Sequence, residues 1–125
     1  MDENDISYQI RGAIFTVYNE LGPGLLESVY ELVLAHILTE KGLDVKKQVS
    51  LPVYFDGIKL DGGYRIDLLI NDLVIVEIKS VESVKSIHHL QLLTYLKLSG
   101  LKLGLLVNFN SVNIADSIYR KVNKL

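Results

Sequence analysis

The chain contains no cysteine, which removes disulfides, thiolate metal sites and cysteine nucleophiles from its chemistry. An intracellular location is compatible with that absence. No apolar stretch approaches the roughly 20 residues that a membrane-spanning helix needs. The opening, Met1-Asp2-Glu3-Asn4-Asp5, is acidic and lacks the positively charged leader and apolar run of a secretory signal. The expectation is a soluble, cytoplasmic protein without a membrane partner. A basic excess is missing too: 13 Lys and Arg face 15 Asp and Glu, for a formal charge of −2. Net charge therefore gives no argument for a polyanionic partner, although a bound divalent cation or a local lysine patch reverses the sign where it matters. There is no internal repeat, no low-complexity tract and no linker.

What remains is globular in composition, with 125 residues, 49% hydrophobic and 22% charged, expected to form a single domain over 1–125. Ile6, Ile10, Ile14, Val17, Tyr18 and Leu21 recur at helical spacing and predict an amphipathic helix over about 5–21. Gly22-Pro23-Gly24 stops it. A second helix is predicted from Leu25 to Lys41, with Leu25, Val29, Leu32, Val33, His36 and Ile37 on its apolar face and Gly42 as its stop. From Asp44 the period changes to two. Strands are predicted at Val45–Phe55, Ile58–Leu60, Tyr64–Ile70 and Val74–Lys79, with Asp56-Gly57 as a tight turn and Asp61-Gly62-Gly63 as a break. Ser86 reads as the N-cap of a helix closed by Gly100. Lys102–Phe109 reads as a buried strand and Ile114–Val122 as a short terminal helix. The order ααββββαβα predicts an α/β domain with a central mixed β-sheet flanked by helices.

Asp67, Glu77 and Lys79 stand out against this pattern. Val74, Ile75, Val76 and Ile78 make a strand of the kind buried on both faces, yet Glu77 and Lys79 interrupt it two residues apart, on one face. Burying such charges costs several kcal/mol unless they are paired or bind a metal. Two carboxylates side by side are the hard oxygen ligands that Mg²⁺ and Mn²⁺ prefer. A lysine beside them would hold the attacking water or neutralise charge on a phosphate during phosphodiester hydrolysis. The competing reading is a Glu77–Lys79 ion pair, with Asp67 a separate carboxylate. Register discriminates between them. A two-residue turn at Asn71-Asp72 would put Asp67 opposite Val76, on the wrong face, whereas a three-residue loop would pair Ile70 with Val74 and set Asp67 across from Glu77. An odd-length loop or a bulge is therefore predicted.

Other polar residues are candidates for the same surroundings. Glu27 and Tyr30, at i and i+3, share one side of the second helix. Gln91 and Tyr95, at i and i+4, share a stripe that His88 extends, among Leu90, Leu92, Leu93 and Leu96. Its alternative is the wet side of an amphipathic helix. Arg65 alternates with Asp67 and would reach phosphate from the active face or pair with Glu27 or Glu77. His88-His89 lacks a third ligand nearby in sequence, which disfavours a metal role, and His36 reads as a core or rim residue. Lys46, Lys47, Lys85, Lys97 and Lys102 would form a phosphate track, but scattered lysines more often serve solvation.

Asp-x9-Glu-x-Lys on consecutive strands resembles the PD-(D/E)XK nuclease superfamily, with its restriction-endonuclease-like fold. Gly24-Leu25-Leu26-Glu27-Ser28-Val29-Tyr30 is similar to the motif of its GxxExxY branch. Tyr64-Arg65-Ile66-Asp67, Val76-Glu77-Ile78-Lys79, the run from Gln91 to Leu96, and Gly104-Leu105-Leu106-Val107-Asn108-Phe109 extend the likeness over nearly the whole chain. The resemblance implies Asp67 and Glu77 as metal ligands with the Ile78 carbonyl, Lys79 as catalytic lysine, and Glu27 as a helical metal ligand. It implies that Gln91 and Tyr95 border the site. Arg65, Tyr95, Tyr30 and His88 are the expected substrate contacts. The superfamily's usual proline before the aspartate is absent, since Ile66 precedes Asp67. The implied activity is Mg²⁺- or Mn²⁺-dependent cleavage of DNA, and fold analogy suggests a homodimer. The alternative is a catalytically silent nucleic-acid-binding or oligomerisation module on the same fold.

Overall fold

Asp2 opens the first helix. Its side chain accepts from the Asp5 N–H at 2.9 Å while the Asp5 side chain accepts from the Asp2 N–H at 3.1 Å, so two orphan donors are satisfied reciprocally. The computed structural model describes all 125 residues, and α1 runs Glu3–Leu21 with Ile6, Ile10, Ala13, Ile14 and Val17 buried. Gly22, at φ 67°, ends it. The second helix, α2 (Glu27–Glu40), has no side-chain N-cap. Its entry is held instead by Tyr30, whose hydroxyl donates to the Gly22 carbonyl at 2.5 Å and accepts from the Leu25 N–H at 3.1 Å.

The buried side of α2 is shifted from the expected one, of which Val33 and Ile37 pack partly buried against the core. Tyr30, Leu34, Ala35 and Leu38 face inward, while Leu32 is 60% exposed and His36 is on the surface beside Glu40. The helix is apolar nearly all round, so the period alone could not choose its phase.

Five strands follow: β1 (Val45–Phe55), β2 (Ile58–Ile70), β3 (Val74–Lys79), β4 (Leu103–Asn108) and β5 (Ile118–Val122), in spatial order β1-β2-β3-β4-β5. All neighbours are antiparallel except β3 and β4, which α3 (Ser86–Ser99) connects as a parallel crossover. Leu68, Ile70, Val74, Val76 and Ile78 pack against α1 and α2 in the larger core. Ile75 and Leu106 pack against Leu92, Tyr95 and Leu96 of α3 in the smaller one. The result is the expected α/β domain, a mixed sheet with helices on both faces.

Three details depart from the expected element order. Ile58–Leu60 and Tyr64–Ile70 are one strand, and Asp61-Gly62-Gly63 is a bulge opposite Pro52, where the register passes from Leu51↔Tyr64 to Val53↔Leu60. Ile114–Val122 is a 3-10 turn at Ile114–Ser117 followed by the edge strand β5, not a helix. Four helical residues are too few to propagate, and pairing with β4 satisfies the rest. The N-cap of α3 is Lys85, one residue before the expected Ser86.

The β2–β3 turn has the predicted odd length. Ile70 pairs with Val74, leaving Asn71, Asp72 and Leu73 as the loop. Asn71 and Asp72 both have left-handed backbones, φ 53° and 54°, which these residue types tolerate best after glycine. Asn71 also accepts from the Asp44 N–H through its side chain at 2.8 Å.

Candidate active site

The β2–β3 ladder runs through Ile70↔Val74, Leu69↔Ile75 and Leu68↔Val76 and stops there. The next pair is Asp67 and Glu77. Side chains replace the missing ladder: the Asp67 N–H donates to Glu77 Oε2 at 2.8 Å, and the Ile78 N–H donates to Asp67 Oδ2 at 2.8 Å. Each buried N–H that the separating strands leave orphaned is thus satisfied by a carboxylate.

The β1–β2 ladder breaks at the same level. Lys47 pairs with Leu68 and Val49 with Ile66, but Gln48 and Asp67 between them do not pair. Gln48 is left-handed, at φ 52°. Strand alternation is reset across this point. Val45, Leu68 and Ile70 pack toward α1 and α2, whereas Val49, Leu51 and Ile66, at the same sequence parity, pack toward α3. Asp67 sits where β2 changes face, so its carboxylate is delivered into a gap between strands.

That gap is a cleft of about 280 Å³ lined by Glu27, Ser28, Glu31, Gln48, Asp67 and Ile78. Glu27, in the first turn of α2, accepts from the Ser80 N–H at 3.0 Å. The Ser80 hydroxyl donates to the Leu25 carbonyl at 2.6 Å. These two bonds fix the start of α2 against the residue that follows Lys79. Gln48 donates to Glu31 Oε1 at 2.6 Å and makes a longer contact to Asp67 Oδ1 at 3.4 Å. On the other side of Lys79, the buried Asn108 amide accepts from the Val81 N–H and donates to the Val81 carbonyl, both at 3.0 Å. The backbone carrying Lys79 is therefore held from both sides.

Electrostatically the carboxylates outweigh the positive charge that Lys79 brings to them. Burial pushes the Glu77 carboxyl up to about 8, and the Asp67 charge adds to the rise. Asp67 is also raised by burial, with the Ile78 N–H and Lys79 opposing. Glu31 is raised by burial, against its bond from Gln48. Tyr95 is pushed up to about 12, first by burial and then by the charges of Glu77 and Asp67. Such clustering of perturbed carboxyls in a cleft is characteristic of functional sites.

A family model described as the PD-(D/E)XK nuclease superfamily matches residues 4–121. The chain belongs to the PD-(D/E)XK nuclease superfamily. No curated protein and no solved structure matches it. PD-(D/E)XK proteins are usually nucleases and generally use divalent metals such as Mg²⁺, so the fit of such a cation is a fair test of the residues present. No three acidic or imidazole side chains converge closely enough to enclose one by themselves. The donor set nonetheless suits Mg²⁺, which takes one or two carboxylates and retains several waters. Asp67 Oδ1 faces the cleft with only the long Gln48 contact, and Glu77, buried and outside the cleft's lining, uses one oxygen for the Asp67 N–H and keeps the other. A cation there would favour the ionised forms against the burial, and the lesser mutual repulsion, that raise Asp67, Glu77 and Glu31.

The remaining expected PD-(D/E)XK residues divide. Tyr95 is buried, with its hydroxyl against the Arg65 backbone N–H and its ring edge-on to Tyr64 at 5.3 Å. Gln91 is half-buried one turn earlier on α3. Arg65 is exposed and forms no ion pair with Glu27 or Glu77. His88 is committed locally, its Nδ1 accepting from the Lys85 N–H at the start of α3. Tyr30 is fully buried, stacked on Phe109 at 4.3 Å, with its hydroxyl tied to the Gly22–Leu25 loop. That is a correction: Tyr30 has no surface for substrate and serves the packing of α2. Glu31 and Gln48 were missed. Glu31 had a signal, because it lies one turn after Glu27 on the same helix side. Gln48 had none, since a left-handed glutamine in a strand leaves no trace in the pattern.

Proposed function

We propose that this chain is a divalent-cation-dependent nuclease that hydrolyses phosphodiester bonds, with DNA as the substrate. The observation that carries this reading is that Asp67 and Glu77 meet where the β2–β3 ladder stops, each bonded to the other strand's backbone, with Lys79 two residues beyond. Asp67 and Glu77, with Glu27 and the Ile78 carbonyl, are the residues that would hold Mg²⁺ or Mn²⁺. The bound ion would supply Lewis acidity and a water of lowered pKa. Lys79 would position the attacking water and balance charge gathering on the phosphoryl oxygens. Glu31 and Gln48 would fix the orientation of the free Asp67 oxygen. Tyr95 would close the α3 side of the site and keep Glu77 dry, with Gln91 at the rim. Gly24, Glu27 and Tyr30 match the motif of the GxxExxY branch and support membership in it, and Tyr30 would act there by seating the helix that bears Glu27. Two copies are expected to associate, on fold analogy.

Cleavage of labelled single- and double-stranded DNA and RNA, with Mg²⁺, Mn²⁺ or EDTA, tests the reading. Metal-dependent cutting of DNA that Lys79→Ala abolishes is expected. Absence of metal-dependent cutting, or cutting that survives both Asp67→Ala and Lys79→Ala, would sink it. One observation favours the catalytically silent module: both carboxylates already have a structural duty as substitutes for ladder bonds. In that case a double variant at Asp67 and Lys79 would bind nucleic acid undiminished while neither protein turns over.

A further inference from the structure

The modest total charge conceals a strong segregation. Residues 1–82 carry seven Lys and Arg against fourteen acids, and residues 83–125 carry six against Asp116 alone, so the two parts stand at −7 and +5. The fold gathers part of the basic excess in one place. Lys97 near the end of α3, Lys102 at the entry to β4 and Lys124 after β5 line a cleft of about 490 Å³ together with Gly100 and Asn123, without an apolar residue. None of the three lysines takes part in an ion pair. Asn123 shapes the floor, its amide donating to the Leu96 and Leu101 carbonyls at 3.4 and 3.1 Å. Lys121 continues the strip on the α3 side of the sheet, since it pairs with Gly104, whose missing side chain points at Leu92.

A favourable interaction with the helix dipole accounts for Lys97. It does not account for Lys102 and Lys124, which belong to other elements. The site residues supply a reason. Glu27, Glu31, Asp67 and Glu77 cluster toward the opposite end of the sheet, where they repel phosphate. A polyanion would have to be attracted elsewhere. Because β3 and β4 are parallel, with Lys79 beside Asn108 and Val74 beside Leu103, Lys102 lies six residues from the level of Lys79. That is roughly 20 Å along the strands.

We propose that the Lys97–Lys102–Lys124 cleft is a phosphate-backbone anchor for nucleic acid, separate from the cleavage centre and reached only by substrates long enough to span the sheet. The proposal rests on the nuclease reading for the identity of the polyanion. Three lysines on flexible stems read charge and not base sequence. At about 3.4 Å per base pair, the span corresponds to about six base pairs.

The test is the variant Lys97→Gln/Lys102→Gln/Lys124→Gln, all exposed positions, beside Lys41→Gln as a control. Binding of a labelled 20-base-pair duplex (about three times the span) is followed by fluorescence anisotropy in EDTA across a salt series. Cleavage of bis(p-nitrophenyl) phosphate with Mn²⁺ provides a probe too short to reach the anchor. The expected result is a salt slope smaller by about 2 to 3 and at least tenfold weaker duplex binding, with hydrolysis of the small diester unchanged. An unchanged slope would overturn the anchor, as would a wild type that binds no duplex. So would a triple variant whose only change is lost self-association on sedimentation, which would assign the lysines to a second copy. A wild type that binds with the lysine-dependent slope but hydrolyses neither duplex nor small diester would leave the anchor standing and remove the nuclease reading.

Discussion

Asp67 and Glu77 are joined through the backbone and not through each other's side chains. The Asp67 N–H donates to Glu77 at 2.8 Å, and Asp67 in turn accepts from the Ile78 N–H at 2.8 Å. Each carboxylate closes a hole in the sheet with one oxygen and leaves the other without a backbone partner. Shape and charge can therefore be separated. Asp67→Asn and Glu77→Gln retain an acceptor for these N–H groups, and each should unfold in urea within about 1 kcal/mol of wild type near pH 5, while cleavage falls by a factor of about 10² or more. Asp67→Ala leaves a buried N–H unsatisfied and should cost about 1 to 3 kcal/mol as well. Equal stability of the Asn and Ala variants would mean that the splice contributes nothing.

The raised Glu77 carboxyl makes stability depend on pH. Its folded value, about 8, lies above the ordinary glutamate value of about 4.3, so the folded chain binds the extra proton between the two. Stability from this group is full below about pH 4 and is lost as pH rises toward 8. Wild type in EDTA should lose several kcal/mol relative to Glu77→Gln between pH 5 and 8.5, as an upper bound on the linkage. Mg²⁺ should restore wild type and not the variant, because the carboxylate must be ionised to ligate. Urea midpoints at four pH values, with and without Mg²⁺, measure this. Parallel curves for the two proteins would contradict the buried, protonated Glu77.

Sequence and structure agree where one local rule dominates. The period-two pattern with Asp56-Gly57 locates β1 and its turn, and the requirement that Asp67 face Glu77 demands the odd length that the Asn71 loop has. The pattern was mute where several solutions satisfy it equally. In α2 apolar residues surround the axis, so the buried face was set by Tyr30 and Phe109, partners far apart in sequence. At Gln48 and Asp67 two strands exchange faces together, which strict alternation cannot express. Ile118–Val122 is a strand because β4 offers an unpaired edge, a tertiary fact. The superfamily was legible from Asp67, Glu77 and Lys79. The residues surrounding Asp67 in its cleft, Glu31 and Gln48, were not.

Gln48 occupies a backbone conformation that costs most side chains about 1 kcal/mol, and its amide links Glu31 to Asp67. Gln48→Gly should relieve the backbone while removing the link, and Gln48→Ala should lose both. The glycine variant is expected to be more stable than the alanine variant by about 1 kcal/mol. Both should show weaker Mg²⁺ binding by calorimetry, since Asp67 and Glu31 are then no longer held. If alanine equals glycine in stability, the left-handed turn is not the constraint at this position.

Gly104 illustrates how packing explains a motif glycine. Its backbone lies on the sheet face covered by α3, and an added Cβ would stand 2.7 Å from Leu92 Cδ1 and 3.2 Å from Cδ2 and Cγ. Leu92 is fully buried, so it has little room to turn away. Gly104→Ala should cost about 1 to 3 kcal/mol through overpacking, and Leu92→Ala about 2 to 5 kcal/mol through the cavity it leaves. Together they should cost less than the sum, because each relieves the other, with a coupling of about 1 kcal/mol or more. Urea denaturation of the two single variants and the double variant gives the cycle. Strict additivity would show that the approach of α3 to β4 does not demand glycine at this position.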